Sequence, residues 1–376
     1  MIKRVLKSPL KTLLKTLGHF VAAFCFAALF LMGGGPLYAQ IQPTLDDGFD
    51  GSTVVFIYHR FGDARYPSTN IKIDQFKAQI AYLKSHNFKF PTLEAVIKAQ
   101  ISGEPLLGQN ILITVDDGYA SIRDNGWPLL KAAGIPMVLF ISTGPIDNGN
   151  ADYMSWDDLR RLKAEGVTIA HHGTGHLHSI HAGVSETIRD YLKASVRFQE
   201  ELGEAPTIFA WPYGEYSPAL ITAFKAGGVR AAFGQFSGPL ATTNNIFALP
   251  RFPINEAYGD LDRFKLVTNS YPLNLTIHEP LTPLVSEDDN PPSFRFSHDG
   301  YEDRVPNMTC YPSHSGTPIK PEENDDGTLS IHIDEPFPKG RHKVSCTLMR
   351  KSATGGDDAK WYWVSQPYFN FPELRQ

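Results

Sequence analysis

The sequence has few cysteines, no surplus of positive charge and no apolar run of full membrane-spanning length, and each shortage removes a class of protein. There are 35 Lys and Arg against 40 Asp and Glu, a formal net charge of −5. A nucleic-acid partner would call for cations that replace the counterions of the phosphate backbone, so none is expected. No His-Glu-x-x-His pattern occurs, which removes the zinc-peptidase helix. No internal repeat is found, which removes solenoids and propellers. Only 3 cysteines are present. Cys25 sits in an N-terminal apolar run without the small residues that precede a lipoprotein cysteine.

That N-terminus is ordered as a targeting segment. Lys3, Arg4, Lys7, Lys11 and Lys15 come first, then the apolar run "HFVAAFCFAALFLM", then "GGGPLYAQ". Basic, apolar and small in this order is a secretory signal, here spanning 1–39. The apolar run is short for a span of about 20 residues, so a membrane is met only if the segment stays uncleaved. Without residues 1–39 the balance is 30 basic against 40 acidic residues, or −10, and Cys310 and Cys346 remain. An even pair in an exported chain predicts a disulfide. The localisation expected is periplasmic, cell-envelope or secreted.

At 376 residues the chain exceeds one ordinary core and predicts two domains. In the first half, short apolar segments ("TVVFIYH", "NILITV", "IPMVLFIST", "VTIAHHG", "PTIFAWPYG", "RAAFGQFSG") alternate with amphipathic ones. Phe76, Ile80 and Leu83 share a helical face. Ser155 and Asp158 have the spacing of a capping box. Strands alternating with helices predict a parallel sheet, open or closed. The predicted limits are 40–275 for this α/β domain, 276–292 for a Pro-rich acidic linker, and 293–376 for a small all-β, sandwich-like domain carrying Cys310 and Cys346.

Three stretches carry chemistry. In "ILITVDDGYA" an apolar strand ends in Asp116, Asp117 and Gly118. Functional groups of parallel α/β sheets gather at strand C-termini, and two adjacent carboxylates need a cation between or beside them. "IAHHGTGHLHSIH" packs 5 of the 13 histidines into one short stretch, with His172 and His176 four apart. Imidazoles with a carboxylate form an open zinc site that keeps a fourth position for water. His171 is a second-choice ligand, and His178 and His181 read as loop surface. "FAWPYGEYS" gives a rigid rim in which Trp211, Pro212 and Tyr213 are candidate substrate-binding residues. Trp361 and Trp363 alternate on a strand and read as sandwich core.

Together "TVDDG" at 114–118, "HGTGH" at 172–176, "AWPYG" at 210–214 and the early "YHRFG" at 58–62 resemble the polysaccharide deacetylases, the NodB-homology or carbohydrate esterase family 4 group. The resemblance covers roughly residues 50–275. It implies a distorted (β/α) barrel of about seven strands and removal of acetyl groups, N-acetyl in the first place, from an acetylated polysaccharide. It implies Asp116 as general base, Asp117, His172 and His176 as ligands of a divalent metal (Zn2+ in the first place), and the backbone N–H of Tyr213 at the oxyanion. The chain departs from the family where an arginine of the third motif is Ala210; Arg251 is the candidate replacement. For the general acid the candidates are His278, in "LTIHE", and His59. The competing reading is a non-catalytic carbohydrate-binding or adhesion protein on a degenerate barrel, with Ala210 as its support. Oligomeric state is open.

Overall fold

The computed structural model describes residues 51–298, 307–350 and 359–372; the expected signal at 1–39 lies outside them. No helix among the described residues is long and apolar enough to cross a membrane.

Seven strands form one parallel sheet: β1 (Gly51–Tyr58), β2 (Gly108–Asp117), β3 (Met137–Ile141), β4 (Thr168–His171), β5 (Ile208–Ala210), β6 (Ala231–Phe233) and β7 (Phe252–Pro253), in the order β6-β5-β4-β3-β2-β1-β7. Their apolar runs are continuous because both faces are covered. Val54, Phe56, Ile111 and Ile113 pack outward with Phe76, Leu83 and Leu159 of the helices. Val55, Leu112, Phe140, Ala170 and Phe233 meet in a separate inner cluster. The helices named below are α1 (Ile73–Ser85), α2 (Trp156–Ala164), α3 (Ser179–Leu202) and α4 (Leu261–Thr268). Phe76 and Leu83 bury the inner face of α1. Ser155 caps α2, accepting from the Asp158 N–H while Asp158 reaches back to the Ser155 N–H.

One segment closes the barrel. Leu249 bridges to Phe233 of β6, and three residues later Phe252 pairs with Phe56 of β1. Arg251 lies inside this crossing.

The second body is two four-stranded sheets. The first has the order β8-β15-β14-β11, from β8 (Ser270–Pro272), β11 (Thr309–Pro312), β14 (Gly340–Arg350) and β15 (Lys360–Asn370). The second has the order β9-β10-β13-β12, from β9 (Leu275–Glu279), β10 (Phe294–His298), β12 (Glu322–Glu323) and β13 (Leu329–Ile331). Phe294, Phe296, Leu329, Val344, Tyr362 and Tyr368 share its core. Cys310 and Cys346 face each other across β11 and β14 and are joined as a disulfide.

Two expectations change here. The 276–292 stretch is not all linker: Thr276–Glu279 belongs to β9, which pairs antiparallel with β10. The sandwich therefore begins at β8, directly after α4. Sequence composition misplaced the boundary because Pro and acidic residues follow a short strand whose partner, β10, begins only at Phe294. Trp363 is not in the sandwich core either. It packs on the barrel, with its ring 5.3 Å from that of Phe252.

Candidate active site

The chemistry-bearing residues lie at the C-terminal ends of the barrel strands, where loops replace the sheet. Along β2 the inner face reads Leu112, Thr114, Asp116, two residues apart as a strand requires. Asp117 should point the other way. Its backbone instead takes φ 76°, the left-handed region that few non-glycine residues adopt, and Asp116 and Asp117 both line the same cleft. Gly118 follows at φ 98°, where an added Cβ would lie 2.9 Å from Ile141 Cδ1. Among the described residues three non-glycines have positive φ, namely Asp117, His176 and Tyr213. All three line this cleft of about 540 Å³, with His59, Asp116 and His172. Strain of this kind costs about 1–3 kcal/mol per residue and collects at functional sites.

Asp117 Oδ1 lies 3.4 Å from His172 Nε2 and 3.3 Å from His176 Nε2. It is buried and accepts no hydrogen bond. Tetrahedral ligands at metal distances of about 2.0–2.1 Å stand about 3.3–3.4 Å apart, so the buried oxygen and the two nitrogens have the spacing of ligands around one ion. His172 Nδ1 lies 2.7 Å from the Ala210 carbonyl. Donating there leaves the Nε2 lone pair facing Asp117, as a metal-ligating histidine requires. The donor set fits a divalent cation such as zinc. Burial raises the Asp117 pKa, but His172, His59 and His176 pull it down further, well below the usual carboxylate range. Burial and the neighbouring His172 hold His176 down to about 4. Burial also depresses His172, but Asp116 and Asp117 more than reverse that.

Asp116 is gripped by Arg251, with Nη1 2.7 Å from Oδ1 and Nη2 2.8 Å from Oδ2. Both side chains are almost wholly buried, at 2% and 0%. Arg251 Nε donates to the Gly234 carbonyl at 2.9 Å, which fixes the guanidinium plane. Burial works to raise the Asp116 pKa, yet Arg251 and His172 outweigh it and the net shift is downward. Position 210 of the third motif is alanine, and the arginine that holds Asp116 comes from the barrel-closing segment.

His59 directly follows β1 and lines the cleft; burial lowers its pKa, partly offset by Asp117 and Asp116. His278 does not join it. It sits on β9 of the sandwich with Nε2 2.9 Å from Ser297 Oγ, so the expectation that it supplies the acid is withdrawn. Trp211 is 1% exposed, packs on Phe209 and Phe224, and donates Nε1–H to the Phe247 carbonyl at 2.8 Å. Trp211 and Pro212 are buried framework; of the three rim residues Tyr213 alone lines the cleft. His171 is no ligand. It stacks on Tyr191 and its Nε2 faces Ser195 Oγ at 3.1 Å.

Two residues were missed. Asp190 of α3 accepts from the Thr174 N–H and the Gly175 N–H, each at 2.8 Å, and so pins the loop between the two candidate ligands. No local pattern marks it. His178, read as loop surface, stacks on the Tyr213 ring at 3.8 Å; its place two residues past His176 was the available signal.

Residues 104–232 match the family model for polysaccharide deacetylase. A relative named poly-beta-1,6-N-acetyl-D-glucosamine N-deacetylase from Staphylococcus aureus is 25% identical over 213 residues, covering 54% of this chain and 73% of that protein. One of the same name from Staphylococcus epidermidis is 25% identical over 219 residues, covering 55% and 75%. Among solved structures, the Streptococcus pyogenes deacetylase PplD in complex with acetate aligns with a TM-score of 0.54 at 16% identity, over 58% of this chain and 98% of that one. IcaB from Ammonifex degensii aligns at 0.50 and 22%, over 58% and 97%; at these identities the likeness speaks for the fold. With the motif residues gathered in one cleft of a seven-stranded barrel, residues 104–232 carry the polysaccharide deacetylase domain that the family model describes.

Proposed function

We propose that this chain is an exported, metal-dependent N-deacetylase acting on N-acetylglucosamine units of a β-1,6-linked polysaccharide. The observation that carries the reading is the convergence of Asp117, His172 and His176 beside an arginine-held Asp116. Asp117 Oδ1, His172 Nε2 and His176 Nε2 would hold the ion, zinc in the first place. An ion so bound lowers the pKa of a water towards ~7 and polarises a carbonyl.

Asp116, kept ionised by Arg251, accepts the proton of the attacking water. The backbone N–H of Tyr213 donates to the acetyl oxygen as negative charge builds there, a kind of donor worth about 3–4 kcal/mol. His59 delivers a proton to the departing amine. The substrate is drawn from the printed names of the staphylococcal relatives. Export is supported by the order of residues in 1–39 and by the Cys310–Cys346 disulfide, a bond that persists in oxidising compartments. The non-catalytic reading rested on Ala210, and the hold of Arg251 on Asp116 weighs against it.

Acetate release by the mature chain tests this, with β-1,6-linked N-acetylglucosamine oligomers set beside β-1,4-linked chitin oligomers and acetylated xylan. Turnover of the β-1,6 oligomers that a chelator abolishes and zinc restores is expected. Turnover indifferent to chelator, or confined to the other glycans, would sink the reading.

A further inference from the structure

We propose that the C-terminal sandwich completes the deacetylase cleft, with Arg341 as the positioning residue that holds Tyr213. The inference rests on the reading of Tyr213 as oxyanion donor.

The sheet β8-β15-β14-β11 is covered on both faces. Along β14, Val344, Cys346 and Leu348 enter the sandwich core. Arg341 and Lys343 alternate to the opposite face, as strand geometry dictates, and meet the barrel. Lys343 Nζ donates to Ser237 Oγ at 3.1 Å, and Arg341 Nη1 donates to Glu215 Oε1 at 3.2 Å. On β15, Tyr362 and Tyr368 turn to the core. Trp363 and Phe369 reach Phe252 and Tyr216 of the barrel, at 5.3 and 5.7 Å between ring centroids. Arg341 pairs with Phe369 of β15, the strand that these two aromatic contacts anchor, and it lines the cleft.

What it meets there is the strained tyrosine. The Arg341 guanidinium lies 4.9 Å from the Tyr213 ring centroid. His178 stacks on the same ring at 3.8 Å and 1°, and His176 abuts it at 4.5 Å. Glu215, two residues on and 0% exposed, faces both His178 Nδ1, at 3.0 Å, and Arg341. A tyrosine at φ 57° keeps that conformation only if its surroundings over-determine it. The histidine loop supplies part of the hold; the sandwich supplies the rest. His178, His181 and Glu215 also bring ligand atoms within 4.8 Å of one another. The guanidinium already at Glu215 opposes a second metal ion there, because like charges at such range repel, so the cluster acts as an ion-paired latch.

The test uses the full mature chain carrying Arg341→Ala or Arg341→Lys, with acetate release from β-1,6-linked N-acetylglucosamine oligomers as substrate assay. For Arg341→Ala, kcat should fall about tenfold or more, since displacing a catalytic group by about 1 Å can cost 10²-fold. KM should stay within about twofold, zinc at about one per chain and the thermal midpoint within about 4 °C. Arg341→Lys should recover part of kcat, because it keeps the charge at Glu215 but not the flat group over the ring. A crystal structure of Arg341→Ala should show Tyr213 shifted from its left-handed conformation or off the His178 ring. A kcat within about twofold of the parent, a fall matched by lost zinc or lost folded protein, or an unmoved Tyr213 overturns the proposal. If the parent itself releases no acetate from any glycan, the function fails instead, and the variant structure alone decides the role of Arg341.

Discussion

Replacing Arg251 by Gln should expose what keeps Asp116 ready to act as a base. The pair is buried, bidentate and separated by 135 positions in sequence. Gln cannot supply the charge, so Asp116 would be left as a buried carboxylate with no cation bonded to it. Removing one partner of such a pair costs about 3–5 kcal/mol, a large part of the roughly 5–15 kcal/mol that holds a domain together. The electrostatic sign follows from the same contacts. Burial raises the Asp116 pKa and Arg251 is the foremost group lowering it, so its loss moves that pKa up. The acidic limb of kcat/KM against pH should then shift to higher pH, with turnover at neutral pH reduced. Arg251→Lys should fall between parent and Gln, because it keeps charge without the fork. Urea denaturation and a pH–rate profile on the same preparations make the measurement. A Gln variant with parental stability and an unmoved acidic limb would refute the argument.

Asp116→Asn should abolish acetate release while zinc stays bound at about one per chain, and Asp117→Ala should lose zinc outright, both read by metal analysis beside activity. Normal turnover in the first or tight zinc binding in the second would count against these roles. Asp190→Ala frees the N–H groups of Thr174 and Gly175 and should weaken zinc affinity about 10–100-fold, as loss of outer-shell support does; unchanged affinity in a chelator competition would remove Asp190 from the site. His171 is held neutral by burial, its pKa lowered from the usual 6.5 to about 3. Its folded value lies below its unfolded one, so its contribution to stability is intact above about pH 6.5 and drains away as pH falls towards 3, on the order of 4 kcal/mol over that span. His171→Gln should flatten the loss in urea midpoint between pH 7 and pH 5, and equal losses in parent and variant would dismiss the idea.

The residues that local patterns mark were found where the patterns put them. Continuous apolar runs became strands buried on both faces, Ser155 and Asp158 formed their cap, and Asp117, His172 and His176 met. Errors arose where a side chain's neighbour is distant in sequence. Trp211 looked like a rim residue until β6 and the chain after it covered it. His278 lay in a tempting dipeptide, yet its strand pairs into the other body.

The sequence alone determined which groups could hold a cation and that strands would present them at loop ends, because hydrophobic period and motif spacing act over a few residues. Only the tertiary structure decided which arginine grips Asp116, which strained residues face the cleft and that Arg341 reaches it from the sandwich. Those outcomes depend on how the barrel closes and on which sheet face meets it, and both are settled by packing across more than a hundred residues of chain.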